Sequence, residues 1–207
     1  MARNYDLDMK AASAADGGNY ISETGKYIGT FTRAEAVTSQ KGTEGVEFTF
    51  KADNEASADF LSLWTHSKDG KELPSFKALN AILTCLKLRG IKSQEGRVEK
   101  YDQATKARAI QSATIYPDLM NKPIGVLLQK VWRADKPDKY KFEIVGVFEA
   151  STELTASEIL DKASAPSRLA KMVLNLKDKH ESAHPAMNAS NPSNSDPEFD
   201  EFRDIPF

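Results

Sequence analysis

Aromatic rings and cationic side chains share strand parity along several extended stretches of this 207-residue chain. Phe31 pairs in this way with Arg33, Phe60 with Trp64, Trp132 with Lys130 and Tyr140 with Phe142, and alternate residues of a strand fall on one face. Lys26, Lys51, Arg133, Lys139 and Lys141 lie beside them in sequence. Such a face suits a flat, anionic polymer: bases stack on rings at about 1–3 kcal/mol each, and Lys and Arg neutralise phosphates. The bland reading of the same rings is core packing. Trp64 and Trp132 stand out as stacking residues because each lies opposite a cleaner aliphatic face. The candidate contacts to single-stranded DNA are therefore Phe31, Arg33, Lys51, Phe60, Trp64, Lys130, Trp132, Arg133, Lys139, Tyr140, Lys141 and Phe142.

Other chemistries find less support. His180-Glu181-Ser182-Ala183-His184 fits H-E-x-x-H, which on a helix would place two imidazoles for zinc with a Glu as general base. Pro185 disfavours helical geometry at His184, and the following AMNASNPSNSDP offers no helix for a third ligand, so the match reads as an accident and a zinc hydrolase is the least favoured reading. No GxxxxGK[ST] pattern is present and the basic body holds no clustered Asp/Glu/Lys nuclease signature. Cys85, alone in the sequence, forms neither an intramolecular disulfide nor a thiolate cluster, and reads as a small buried apolar residue on a helix. The expectation is a non-enzymatic protein with no cofactor and no metal.

The elements that must position the rings begin at Gly25. Residues 1–24 are rich in Ala, Gly, Asp and Ser and read as a loosely ordered lead-in. Strands are expected at Lys26–Thr38, at Gly45–Ala52, where Val46, Phe48 and Phe50 alternate with polar residues, and at Ala58–His66. Phe76, Leu79, Ile82, Leu83 and Leu86 recur at helical spacing and predict a helix over Leu73–Leu88, ended by Gly90. The polar, basic stretch that follows predicts a loop around a short strand at Arg97–Tyr101, before strands at Pro123–Arg133 and Lys139–Glu149. The fold class is mainly β with α. Three strands, a helix and two strands is the order of an OB-fold-like, five-stranded Greek-key barrel with its helix between strands three and four, here over residues 25–150.

Residues 151–181 read as a helical appendage: Thr155 and Glu158 form a capping-box pattern, and Leu169, Met172, Val173 and Leu176 give a second segment an apolar stripe, to pack on the barrel or on a second subunit. Residues 182–207 read as a disordered linker and acidic tail. The last stretch, DPEFDEFRDIPF, carries five carboxylates, one Arg and three Phe with no helical or strand period. Its acids, its stiff Pro206 and its Phe207 suit a partner pocket with an apolar floor and a basic rim. The residues expected to meet that partner are Asp200, Glu201, Phe202, Asp204, Ile205, Pro206 and Phe207.

The ending Asp204-Ile205-Pro206-Phe207, after an acidic run and a polar linker, resembles the tip of bacterial single-stranded-DNA-binding proteins. That resemblance implies recruitment of host replication and repair proteins that recognise such a tip. GKYIGTFTRAEAVTSQKGTEGVEFTF, LWTHSKDGKELPSFKALNAILTCLKLRGIK and GRVEKYD look like the phage-encoded single-stranded-DNA-binding proteins, over roughly Gly25–Asp102. This implies an OB-like single-strand-binding domain, transfers no individual contact residue, and does not carry over the tetramer of the bacterial family. Assembly into homo-oligomers is left open.

The charge is distributed in agreement. Lys26–Phe142 holds 20 Lys and Arg against 14 Asp and Glu, a balance of +6, whereas Ser151–Phe207 holds 6 against 10, a balance of -4. A basic body and an acidic tail fit contact with phosphates by the first alone. No apolar run approaches the length of about 20 residues that spans a bilayer, and the N-terminus has no apolar signal core, so a protein of the host cytoplasm with no membrane partner is expected. The expected function is sequence-independent binding of single-stranded DNA in phage DNA replication, recombination or repair. The alternatives are an interaction protein that mimics the host tip and a strand-annealing recombination protein.

Overall fold

Alternation in Val46, Phe48 and Phe50 drives the centre of the fold: all three are buried on strand β2 (Glu44–Ala52). The computed structural model describes residues 20–102 and 107–181, and it is mainly β with a few short helices. β1 (Gly25–Thr38) and β3 (Ser57–His66) flank β2 in antiparallel ladders. Helix α1 (Pro74–Cys85) follows, then β4 (Gln94–Asp102), β5 (Ala107–Ile115), β6 (Pro123–Trp132) and β7 (Tyr140–Phe148). The chain continues through α2 (Ala156–Leu160), α3 (Arg168–Asn175) and the two-residue β8 (Lys179–His180).

The eight strands among the described residues belong to one sheet, antiparallel except where β8 joins β6. The long β1 organises it by changing partners. Its N-terminal part pairs with β6 from Gly25 to Thr30, its remainder pairs with β2, and Glu35 meets Ile115 of β5. Gly29 sits where the strand is flanked on both sides, opposite Ala52 and Ile124. A Cβ there would fall 2.1 Å from the Lys51 carbonyl oxygen, so the close approach needs glycine. β3 and β7 approach one another, and α1 packs against both. Inside the resulting concave face lie Phe31, Phe48, Phe50, Leu61, Ile82, Ile124 and Leu128, with the Phe31 and Phe48 ring centroids 4.4 Å apart.

Three features differ from the sequence-based expectation. The short strand expected at Arg97–Tyr101 lies within β4, but in place of the loop expected around it β4 and β5 form a hairpin paired from Gln94–Ile115 to Asp102–Ala107. Among its described residues the buried apolar cluster is Val98, Ala113 and Ile115, with Met120 against them, too sparse to stand out among the charged residues. α1 stops at Cys85 rather than at Leu88, because Lys87 takes the left-handed conformation (φ 56°) and the Leu88 N–H donates to the Leu83 carbonyl. Residues 179–180, assigned to the helical appendage, are extended. Burial, and then the nearby Glu149, push the Cys85 thiol up to about 12, which leaves it an inert core residue.

The appendage packs on the chain's own sheet. Leu169 of α3 is buried with Leu127 and Phe148, and Ile28, Met172 and Leu176 close over them. Its pivot is the buried Glu158, whose carboxylate accepts from the Thr155 N–H and hydroxyl, the Ser167 N–H and hydroxyl, and the Arg168 N–H. One side chain thus closes the capping box of α2 and caps α3. The Thr155 and Ser167 N–H groups, the Thr155 hydroxyl and the Arg168 N–H hold its pKa far below the usual carboxylate range. A depressed carboxylate stabilises the fold above the unfolded value of about 4.3 and loses that contribution as pH falls towards the folded value. Glu158→Gln is therefore expected to lower the unfolding midpoint at pH 7, with the gap to wild type narrowing below about pH 4. Thermal melts across pH read this directly; a gap that stays constant down to acid pH contradicts the account.

Candidate nucleic-acid interface

The β6–β7 hairpin carries rings and cations at its turn end. Trp132 and Tyr140 are cross-strand partners, and so are Lys130 and Phe142. The Trp132 and Tyr140 centroids lie 5.3 Å apart at 68°, and those of Tyr140 and Phe142 5.6 Å apart at 81°. Lys130 Nζ sits 4.7 Å from the Tyr140 centroid and 5.4 Å from that of Trp132, so one ammonium caps two rings. Trp132 is steadied from behind: its indole N–H donates to Asp178 (3.2 Å), and His180 of β8 stacks on it at 6.3 Å and 16°. The Thr24 hydroxyl also donates to Asp178 (2.6 Å). That bond first, and the Trp132 bond after it, hold the Asp178 carboxyl below its ordinary range despite desolvation.

Tyr140 and Phe142 also line a groove of about 340 Å³, together with Tyr20, Ile21, Ser57, Ala58, Asp59, Phe60 and Tyr101. Tyr20 is 61% exposed, Phe60 50%, Tyr140 42% and Tyr101 41%, an unusual density of open rings. Phe60 is held there at a cost. The β2–β3 register slips between Phe48 and Phe50, leaving a bulge on β3, and Phe60 takes φ 61°. The left-handed region costs a residue with a Cβ about 1–2 kcal/mol and is an outlier for a bulky side chain. Strain of this kind clusters at sites that bind. Phe60→Gly is expected to be more stable than Phe60→Ala by about 1 kcal/mol, as glycine accepts the backbone, while both lose at least about fivefold in single-strand affinity. Denaturant melts and oligonucleotide titrations separate the two effects. An Ala variant as stable as the Gly variant, or unchanged affinity in both, contradicts the assignment.

The candidates divide. Phe60, Tyr140 and Phe142 meet in the groove, with Trp132 and Lys130 at its end. Lys139 is exposed beside Tyr140. Arg133 is exposed but forked onto Asp135, with both bonds at 2.9 Å. Lys141 bridges Glu181 (2.7 Å) and Glu143 (3.0 Å). Lys51 pairs with Glu55 and does not line the groove. Trp64 is half-buried on β3 opposite Gly45 and does not line it either.

Two candidates are corrected. Phe31 and Arg33 do not share a face, because a register shift between them reverses the alternation of β1. Phe31 is wholly buried in the core with Phe48 and Phe50, where no base can reach it. Arg33 is 4% exposed, and its guanidinium is spent on Glu35 (2.7 Å), Glu47 (2.8 Å) and the Thr49 hydroxyl (3.1 Å). It holds the sheet together.

Tyr20, Tyr101 and His180 belong to the aromatic surface and were absent from the expected set. The buried Ile21 fixes Tyr20 beside Ser57, while Tyr101 arrives on a hairpin that sequence period did not reveal. The first half of the H-E-x-x-H match is extended rather than helical, and Glu181 is engaged by Lys141. His184 and the tail residues Asp200, Glu201, Phe202, Asp204, Ile205, Pro206 and Phe207 lie outside the described residues. No helix among the described residues is long and apolar enough to cross a membrane. No family model matches this chain, and no curated protein matches it.

Proposed function

We propose that this protein binds single-stranded DNA without strong sequence preference, through the groove and the Trp132 end of the β6–β7 hairpin. The observation that carries the reading is the run Phe142–Tyr140–Trp132 in edge contact, with Lys130 over two of its rings and open Phe60, Tyr20 and Tyr101 across the groove. Rings that stack any base beside a cation that takes phosphate are what sequence-tolerant binding needs. A duplex hides its base faces and fits such a site poorly.

In this reading β1, β2, β3, β6 and β7 are an OB-fold-like Greek-key barrel, α1 is its helix between the third and fourth barrel strands, and the β4–β5 hairpin is an insertion after that helix. The order of elements and the approach of β3 to β7 support it. The segment from Asp200 to Phe207 would recruit host proteins that recognise the tip of bacterial single-stranded-DNA-binding proteins, on the strength of its acidic run and its Asp-Ile-Pro-Phe motif. The setting proposed is a phage protein at work in the host cytoplasm, in DNA replication, recombination or repair. No reaction is assigned to the site. A protein that only occupies host pockets would leave the strained, open Phe60 without a purpose, which is why the binding reading is preferred.

Photocrosslinking with 5-iodouracil oligonucleotides tests the placement. Adducts are expected on Tyr140, Trp132 or Phe60; adducts confined to Trp64, or none at all in a protein that binds the strand, would put the interface elsewhere.

A further inference from the structure

The β4–β5 hairpin has no place in a five-strand barrel, yet Tyr101 of β4 lines the same groove as Phe60, Tyr140 and Phe142. Its attachment to the main sheet is thin. Only Glu35 and Ile115 pair in the ladder between β1 and β5, and its apolar cluster is Val98, Ala113 and Ile115 against Met120. One polar contact reaches further along. Lys100, the neighbour of Tyr101, donates to Glu35 Oε1 at 2.8 Å, while the other oxygen of Glu35 holds the buried Arg33 at 2.7 Å. Glu35 is itself buried, and the Lys100 side chain is mostly shielded. A carboxylate pinned from below by a buried guanidinium is a fixed anchor, and the Lys100 ammonium spends its charge on it rather than on the groove.

We propose that the inserted hairpin is the second jaw of the binding groove: Tyr101 stacks a base of the bound single strand against the wall formed by Phe60 and Tyr140, and the Lys100–Glu35 ion pair is the latch that holds Tyr101 in place. The proposal rests on the single-strand reading above and adds to it a two-sided site. A one-sided face would bind any stretch of bases that lay flat. A slot between two walls instead takes one unpaired base at a time and rejects a base still stacked in a duplex. Tyr101 contacts the ligand directly, whereas Lys100 and Glu35 are positioning residues.

Titration of the full-length chain with fluorescein-labelled oligothymidine, with thermal melts as the control for folding, decides the matter. Tyr101→Leu is expected to bind at least about fivefold more weakly, Tyr101→Phe to bind as wild type does, and Lys100→Met to lose about two- to fivefold, with Lys100→Arg restoring most of that loss. The double variant Lys100→Met/Tyr101→Leu is expected to bind no more weakly than Tyr101→Leu alone, because the latch acts only through the ring. A purely structural Lys100 would instead lower the melting temperature and add its loss to that of Tyr101→Leu. If Tyr101→Leu binds within twofold of wild type, or if the two losses multiply, the jaw is overturned while the single-strand reading stands. If the wild-type chain itself fails to bind oligothymidine, the single-strand reading falls and the jaw falls with it.

Discussion

Replacing Phe60 and Tyr140 together by Ala is expected to weaken oligothymidine binding by a factor of about 30 to 10⁴, the equivalent of two stacked bases at about 1–3 kcal/mol each. Both rings line the same groove and both are about half open to solvent and outside the core clusters, so their removal takes little from the core. The double variant is accordingly expected to unfold within about 1 kcal/mol of wild type, the usual range for surface positions. The pair is a sharper test than Trp132→Ala, because Trp132 also anchors β8 through Asp178 and His180, and its loss would mix binding with local order. A double variant that remains folded and retains wild-type affinity would show that the groove is not where strands bind.

The second large effect is on stability. Arg33→Ala is expected to cost about 3–5 kcal/mol, because it leaves Glu35 and Glu47 short of a partner in a buried network. That is a large fraction of the stability of an ordinary domain. Thr49 and Asp59 extend the same network across β2 to β3, and Lys100 extends it to β4, so the loss would be felt across the sheet. Denaturant melts measure it, and the affinity per folded molecule is expected to fall by no more than about two- to fivefold, the loss assigned to the Lys100–Glu35 latch that Arg33 steadies. A loss under about 1 kcal/mol would show the network to be dispensable. A fully folded Arg33→Ala that loses far more affinity than the latch accounts for would return Arg33 to the interface from which its burial removes it.

What was legible in the sequence, and what was not, follows from where the period-2 rule holds. Val46, Phe48 and Phe50 sit in an unbroken ladder, and their alternation reads out the core correctly. Phe31 and Arg33 straddle a bulge, which carries no period of its own and turned an apparent shared face into two opposed ones. Phe60 lies at another irregularity, and nothing in its neighbours announces a left-handed phenylalanine. The short strand at Arg97–Tyr101 is legible, but its partner β5 is not, because backbone pairing and a few apolar contacts hold the hairpin, not an apolar stripe. Tyr101 therefore has no visible place among the rings, and neither has Tyr20, in a stretch that reads as a loosely ordered lead-in. Trp132, Tyr140, Phe142 and Lys130 were legible together because β6 and β7 pair regularly at that end.

Central to this account is a site for unpaired bases flanked by a small number of cations, and equilibrium titration against salt tests it most directly. With Lys130, Lys139 and a partly engaged Lys141 as the phosphate contacts, the slope of log affinity against log salt is expected to be about -2 for oligothymidine, or roughly a 16-fold loss from 50 to 200 mM. Residual affinity at high salt would come from stacking, and duplex of the same length should bind far more weakly throughout. Duplex bound as tightly as the single strand, or single-strand binding that vanishes entirely as salt rises, would contradict a site built on stacked bases.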